Sequence, residues 1–165
     1  IVLGLTMGMQ PIVGYNFGAQ KIDRVKQTLR LGIISGVVIT SSGFVICEFF
    51  PHAVSALFTD SDELIDLAVG GIRLTVLMFP FVGAQIVIGN FFQSIGKAKI
   101  SIFLSLTRQL LYLLPCLLLF PNWWGLEGIW ISMPVSDALA FITAVISLMI
   151  YIKKVSKQHP ETVAE

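Results

Sequence analysis

The sequence predicts an all-α integral membrane protein built from five transmembrane helices and a short polar tail. Three observations carry that prediction: a shortage of charge, the blockwise arrangement of apolar residues, and the alternation of charge between the loops. Of the 165 residues, 13% are charged and 55% hydrophobic, with a formal net charge of +1 and a mean hydropathy of +0.84. A soluble domain carries about 25% charged residues, so a disordered chain, a basic nucleic-acid-binding domain and nearly any water-soluble globule are excluded. The apolar residues run in long blocks and do not alternate, as lipid requires. Ten-residue alternating segments, the mark of a membrane β-barrel, are missing.

Each block is long enough to span. A helix rises about 1.5 Å per residue and the hydrocarbon layer is about 30 Å thick. The predicted helices cover about 1–19, 29–50, 74–95, 100–120 and 126–152, within a lobe-like unit 1–152 followed by a polar tail, 153–165. Between the second and third blocks, Val54, Leu57 and Phe58 have helical spacing, and Thr59, Asp60 and Ser61 offer N-cap chemistry for a short helix through Leu64, Ile65 and Leu67. This stretch, about 53–68, reads as an amphipathic segment at the interface. The chain begins at Ile1, inside an apolar run, with no initiator Met or cleavable signal, so a fragment lacking its upstream part is expected.

Loop charge sets orientation. Lys21, Arg24, Lys26 and Arg30 follow the first block, Lys97 and Lys99 the third, and Lys153, Lys154 and Lys157 the fifth. Those nine make up most of the eleven basic residues, and the positive-inside rule puts them, with the C-terminus, in the cytoplasm. The other loops carry Asp60, Asp62, Glu63 and Asp66, or no charge at all (121–125). In the latter, Trp123 and Trp124 suit the headgroup level.

Small residues recur at helical spacing: Gly4 and Gly8; Gly32, Gly36, Thr40, Gly43 and Cys47; Ser132, Ser136, Ala140, Thr143 and Ser147. Such stripes let helices approach closely in lipid, where no hydrophobic force draws them together. Cys47 and Cys116 read as packing residues. Pro11, Pro80, Pro115 and Pro134 fall inside predicted spans, and each removes a backbone hydrogen bond and tends to kink its helix. Kinked spans suit a protein that opens and closes a cavity.

Charge within a membrane costs about 2.5–3.5 kcal/mol per residue on insertion scales, so Arg108 and Asp137 are the most informative residues. Both lie roughly 17 Å below the same end of two antiparallel neighbours, and an intramembrane ion pair follows, either fixing helix register or coupling to an ion. Ser101, Ser105 and Tyr112 share the Arg108 stripe, while Glu48, close to a helix end, is expected to reach water. Gln85, Gly89 and Gln93 recur at four-residue spacing with Asn90 beside them. Together with Gln10 and Asn16 they offer uncharged hydrogen-bonding points among Phe, Tyr and Met, as a lipophilic solute would need. Helix-to-helix hydrogen bonding is the competing use.

Enzymatic chemistry finds no support. His52 and His159 lie outside the spans, and no cluster has metal-ligand spacing, a phosphate loop or a nucleophile elbow. No cofactor is expected beyond a coupling ion, and transport would be passive or coupled to an ion gradient.

Specific strings now carry a resemblance. GMQPIVGYNFGAQ (8–20), followed by a basic loop, resembles the end of the eighth helix of the multidrug and toxic compound extrusion (MATE) antiporters. FFQSIGKAK (91–99) resembles that family's tenth-helix exit, and SLTRQLLYLLP (105–115) and GLEGIWISMPVSD (125–137) its eleventh and twelfth helices, especially in the MepA-like bacterial branch. The resemblance implies twelve helices in two six-helix lobes with alternating access, this chain being most of the C-terminal lobe. It implies a bacterial inner-membrane location, H⁺ or Na⁺ as coupling ion, a small lipophilic or cationic solute, membrane lipid as surroundings, no nucleic acid, and a missing N-terminal lobe that holds the acidic coupling residue. Gln10, Asn16, Gln85 and Asn90 become cavity candidates, Arg108 and Asp137 lobe-internal polar residues, and Gly14, Gly18 and Ala19 close-packing positions. A lipid-linked oligosaccharide flippase of the same superfamily is the alternative, although its pyrophosphate asks for a more basic cavity than Arg108 alone provides; a non-transporting scaffold or an intramembrane enzyme is the third reading.

Overall fold

A computed structural model describes residues 1–158, with side chains through Val155; His159, Lys157's side chain and most of the polar tail lie outside the described residues. Eight α-helices follow one another: α1 (Val2–Gly18), α2 (Ile22–Phe49), α3 (Pro51–Ala56), α4 (Asp62–Val76), α5 (Phe79–Ser94), α6 (Ala98–Leu106), α7 (Leu114–Leu119) and α8 (Pro121–Gln158). A π-helical segment, Thr107–Leu113, joins α6 to α7. Three helical stretches are long and apolar enough to cross a membrane: Ile22–Phe49, Ala98–Leu119 and Pro121–Val155; α4 and α5, bent by 50°, make a fourth. α1 packs beside them as the fifth. Leu31, Ile34, Val38, Ile142, Ile146 and Ile150 point outward, the surface a lipid-facing bundle presents.

The helix boundaries follow local chemistry. α2 starts at Ile22, not near 29, so Asp23, Arg24 and Lys26 form its first turns; Asp23 suits the positive end of the helix dipole. α4 does not stop near 68 as an interfacial helix would. It opens on Asp62 and Glu63 after Ser61 and continues to Val76, so this segment is half of a broken span.

The four prolines divide into two kinds. Pro11 and Pro134 sit inside α1 and α8. Pro80 and Pro115 stand in the first turns of α5 and α7, where a missing N–H costs least. Their effect falls on the preceding residues: the α4–α5 bend lies ahead of Pro80, and the π-helical segment ahead of Pro115. In that segment the Leu114 N–H donates to the Gln109 carbonyl, five residues back.

Two helix ends share one device. After α1, Gln20 has φ +58° and the Lys21 N–H donates to the Asn16 carbonyl at 2.9 Å; after α5, Gly96 has φ +74° and the Lys97 N–H donates to the Phe92 carbonyl at 2.8 Å. A left-handed residue closed by a bond across five residues is the Schellman stop. A third break, at Gly125 (φ +55°, ψ −130°), separates the Pro121–Trp124 turn from the rest of α8, a conformation open only to glycine.

α5 is the central helix, touching α1, α2, α6 and α8. The apolar core gathers around it: Met9 and Val13 from α1, Val25 and Leu29 from α2, Val87, Ile88, Phe91 and Phe92 from α5, and Ala144 and Leu148 from α8. Phe91 and Phe92 meet Tyr151 edge-on at 6.2 and 5.5 Å. The small-residue stripes are used unevenly. Gly36 and Gly83 bring α2 and α5 into backbone contact, Gly32 receives Met9, and Gly14 approaches the Ser94 carbonyl. Gly4, Gly8, Gly18 and Gly43 face open space instead. Gly71 of α4, outside every predicted stripe, seats the indole of Trp130. Glu48 lies 4.0 Å from Arg73, so it finds a partner on α4.

Candidate functional site

The site begins with the periodicity of α5. Gln85, Gly89, Asn90 and Gln93 fall along the face turned toward α6, where Ser101, Leu104 and Ser105 recur at three- and four-residue spacing. These residues, with Ile86, Arg108 and Gln109, line a pocket of about 220 Å³. Gly89 leaves its floor open, for nothing lies within 4 Å of where its Cβ would be. A second hollow of about 320 Å³ shares Gln93, Ser101 and Ser105 and extends to Ala98, Ile102 and Leu106, so the polar groove follows α6.

Arg108 joins the pocket to the bundle interior. Its Nε donates to Asp137 Oδ1 at 2.8 Å, and the Asp137 side chain is 8% exposed against 35% for Arg108. The carboxylate is thus the inner partner and the guanidinium the one facing the pocket. One turn along, Tyr112 and Thr143 share a hydrogen bond at 2.8 Å, so two polar contacts tie the π-helical segment to α8. A π turn widens the helix and changes which side chains share a face; here Arg108 and Gln109, adjacent in sequence, both line the pocket.

Gln85 is buried, and its Oε1 has no hydrogen-bond partner among the described residues. A buried unpaired carbonyl costs about 1–3 kcal/mol, so this acceptor at the pocket wall is poised for a donor. Asn90 is committed differently, its Nδ2 donating to the Ile86 carbonyl at 3.0 Å.

Of the residues singled out from sequence, Gln85, Asn90 and Arg108 come together around the pocket, and Asp137 stands directly behind Arg108. Gln10 and Asn16 do not line it. Asn16 is buried on the face of α1 that also carries Thr6, Met9 and Val13, with its Nδ2 bonded to the Ile12 carbonyl at 2.8 Å; it belongs to packing against the bundle. Sequence reasoning misses Gln109, because a uniform α-helical period turns it away from Arg108 and only the π-helical segment brings it round. Among the described residues no cluster of His, Cys, Asp and Glu could hold a metal ion.

Three comparisons bear on this arrangement. The MatE family profile matches residues 1–118. The multidrug export protein MepA of Staphylococcus aureus (strain MSSA476) is 24% identical over 156 residues, covering 92% of this chain and 33% of MepA. Its counterpart in Staphylococcus haemolyticus (strain JCSC1435) is 24% identical over 143 residues, covering 86% of this chain and 31% of the relative. Among solved structures, the MATE multidrug transporter DinF-BH, in complex with a lipophilic cationic dye, superposes with a TM-score of 0.85 at 37% identity, over 90% of this chain and 33% of the transporter. The inward-facing conformation of a multidrug resistance MATE family transporter of the MOP superfamily reaches 0.88 at 20% identity, over 99% and 37%; that likeness speaks for the fold. The chain therefore spans about a third of the length of the proteins it matches. Five membrane-type helices, a bent span feeding a polar groove and a match over 118 contiguous residues lead to one assignment: the chain belongs to the MatE family, in its MepA-like branch.

Proposed function

We propose that this chain forms part of the C-terminal lobe of a bacterial multidrug efflux antiporter, exporting a lipophilic, often cationic, organic solute in exchange for H⁺ or Na⁺. The observation that carries the reading is the groove between α5 and α6, where an unpaired Gln85 carbonyl, amides and hydroxyls are set beside Arg108 and apolar walls. At about 220 Å³ the pocket is smaller than the 300–1,000 Å³ typical of a small-molecule site. It supplies one wall, and a second lobe of the same polypeptide supplies the other. Uncharged acceptors suit a cation that must also be released, since they bind without burying a permanent counter-charge. Alternating access then exposes the groove to each side in turn, with the basic end and C-terminus in the cytoplasm of the inner membrane. The Arg108–Asp137 pair either fixes helix register or takes part in ion coupling.

The test is ethidium efflux in a pump-deficient bacterium expressing the gene that encodes this chain, with and without Asp137→Asn. Ion-dependent efflux that collapses in the variant gives the pair a coupling role; efflux that survives makes it structural. No efflux of any tested cation, together with transport of a lipid-linked pyrophosphate, would replace this reading with a flippase, for which Arg108 is the basic group in the groove. The isolated chain in liposomes should carry no ion-dependent flux.

A further inference from the structure

A separate cavity, of about 560 Å³, opens at the basic end of the bundle. It is lined by Phe17 and Gln20 at the end of α1, Ile22 at the start of α2, Lys97 and Ile100 at the start of α6, and Ser147, Ile150, Tyr151, Lys154 and Val155 of α8. Residues from three of the basic stretches or their margins, far apart in sequence, therefore share one wall. The chemistry is divided. Lys97 and Lys154 carry two positive charges, and neither lies within 4.0 Å of a carboxylate among the described residues. Ile100, Ile150, Val155 and Phe17 form an apolar side, and Ile150 is 64% exposed. The Tyr151 ring is held edge-on by Phe91 and Phe92, which fixes the inner wall.

We propose that this cavity binds an anionic phospholipid, its headgroup phosphate on Lys97 and Lys154 and an acyl chain along Ile100 and Ile150. A free phosphate would leave the apolar side uncovered, and a neutral lipid would leave both ammonium groups without a counter-ion. Basic hollows between helices at the membrane boundary favour anionic headgroups, and the two lysines emerge where such a headgroup lies. The site is distinct from the groove at Gln85 and does not rest on the transport reading.

The experiment is native mass spectrometry of the intact polypeptide that carries this chain, extracted from phosphatidylcholine vesicles containing about 20% phosphatidylglycerol. The wild type retains phosphatidylglycerol over phosphatidylcholine, and Lys97→Gln with Lys154→Gln lowers that preference roughly tenfold. Lys99→Gln, outside the cavity wall, keeps it. Equal retention of the two lipids by the wild type, or no retention because another part of the polypeptide fills the cavity, overturns the proposal. Displacement by millimolar inorganic phosphate also overturns it, in favour of a free anion. Should the double variant fail to fold, Ile100→Trp decides: it narrows the apolar side, keeps both lysines and should reduce retention, and unchanged retention would count against an acyl chain in the cavity.

Discussion

The two faces of α5 use glycine in opposite ways. At Gly83 the helix lies so close to α2 that an added Cβ would run into the Gly36 carbonyl oxygen and come within 2.5 Å of Thr40 Oγ1. Six residues on, Gly89 meets nothing within 4 Å and opens onto the polar pocket. The first glycine removes space so that two backbones touch; the second keeps space that the neighbouring helix does not fill. In lipid, close approach supplies dispersion contacts that the hydrophobic effect does not, so a central helix gains rigidity on one side and can leave the other open for a ligand.

Substitutions can break that contrast. The largest expected effect is at the seam. Gly83→Val places two methyl groups against backbone that cannot move aside, and overpacking of this kind costs about 3 kcal/mol or more. Fluorescence-detected size exclusion should show loss of the monodisperse peak, whereas a folded, stable Gly83→Val would mean that α2 and α5 are not packed this closely.

The ion pair comes next. Asp137→Ala leaves Arg108 without its partner, and Arg108→Met strands the inner carboxylate; breaking a buried pair from one side costs about 3–5 kcal/mol, and less for the Asp137 change because Arg108 keeps partial access to solvent. The double variant Arg108→Met with Asp137→Leu should recover most of the lost thermal stability. Strict additivity of the two single losses would show that the contact contributes nothing specific.

On the open face, Gly89→Leu fills the pocket without meeting an existing atom. Thermal stability should stay within about 1 kcal/mol of the wild type, while ethidium efflux falls sharply. Wild-type efflux in this variant would move the solute away from the α5–α6 groove. The smallest effect is expected for Tyr112→Phe, which removes one hydrogen bond to Thr143 and costs about 1 kcal/mol; its readout is a small downward shift in melting temperature with efflux retained.

Much of this arrangement is legible along the chain. The depth argument for Arg108 and Asp137 needs only two antiparallel helices, a short connection and a fixed rise per residue, and the pair stands at 2.8 Å. Gln85 and Asn90 can be picked out because amides in an apolar block are conspicuous. The same reasoning cannot separate them from Gln10 and Asn16, since a single-helix pattern carries no information about which neighbour a face meets. Asn16 faces packing and Gln85 faces the pocket although both are lone amides among apolar residues. Likewise a small-residue stripe shows that close approach is possible, and the use of Gly36 but not Gly43 depends on where α5 crosses α2.

The sequence by itself determined the class and the medium: charge scarcity, block hydropathy and loop charge require helices in lipid, because backbone groups there must be satisfied within each span. It also determined where the helices are weakened, through proline. Only the tertiary structure decided that α4 continues into a broken span, that a π-helical segment brings Gln109 alongside Arg108, and that Lys97 and Lys154 share one cavity. Those features depend on contacts between residues distant in sequence, whose geometry is set by helix crossing and bending and is not written in any local pattern.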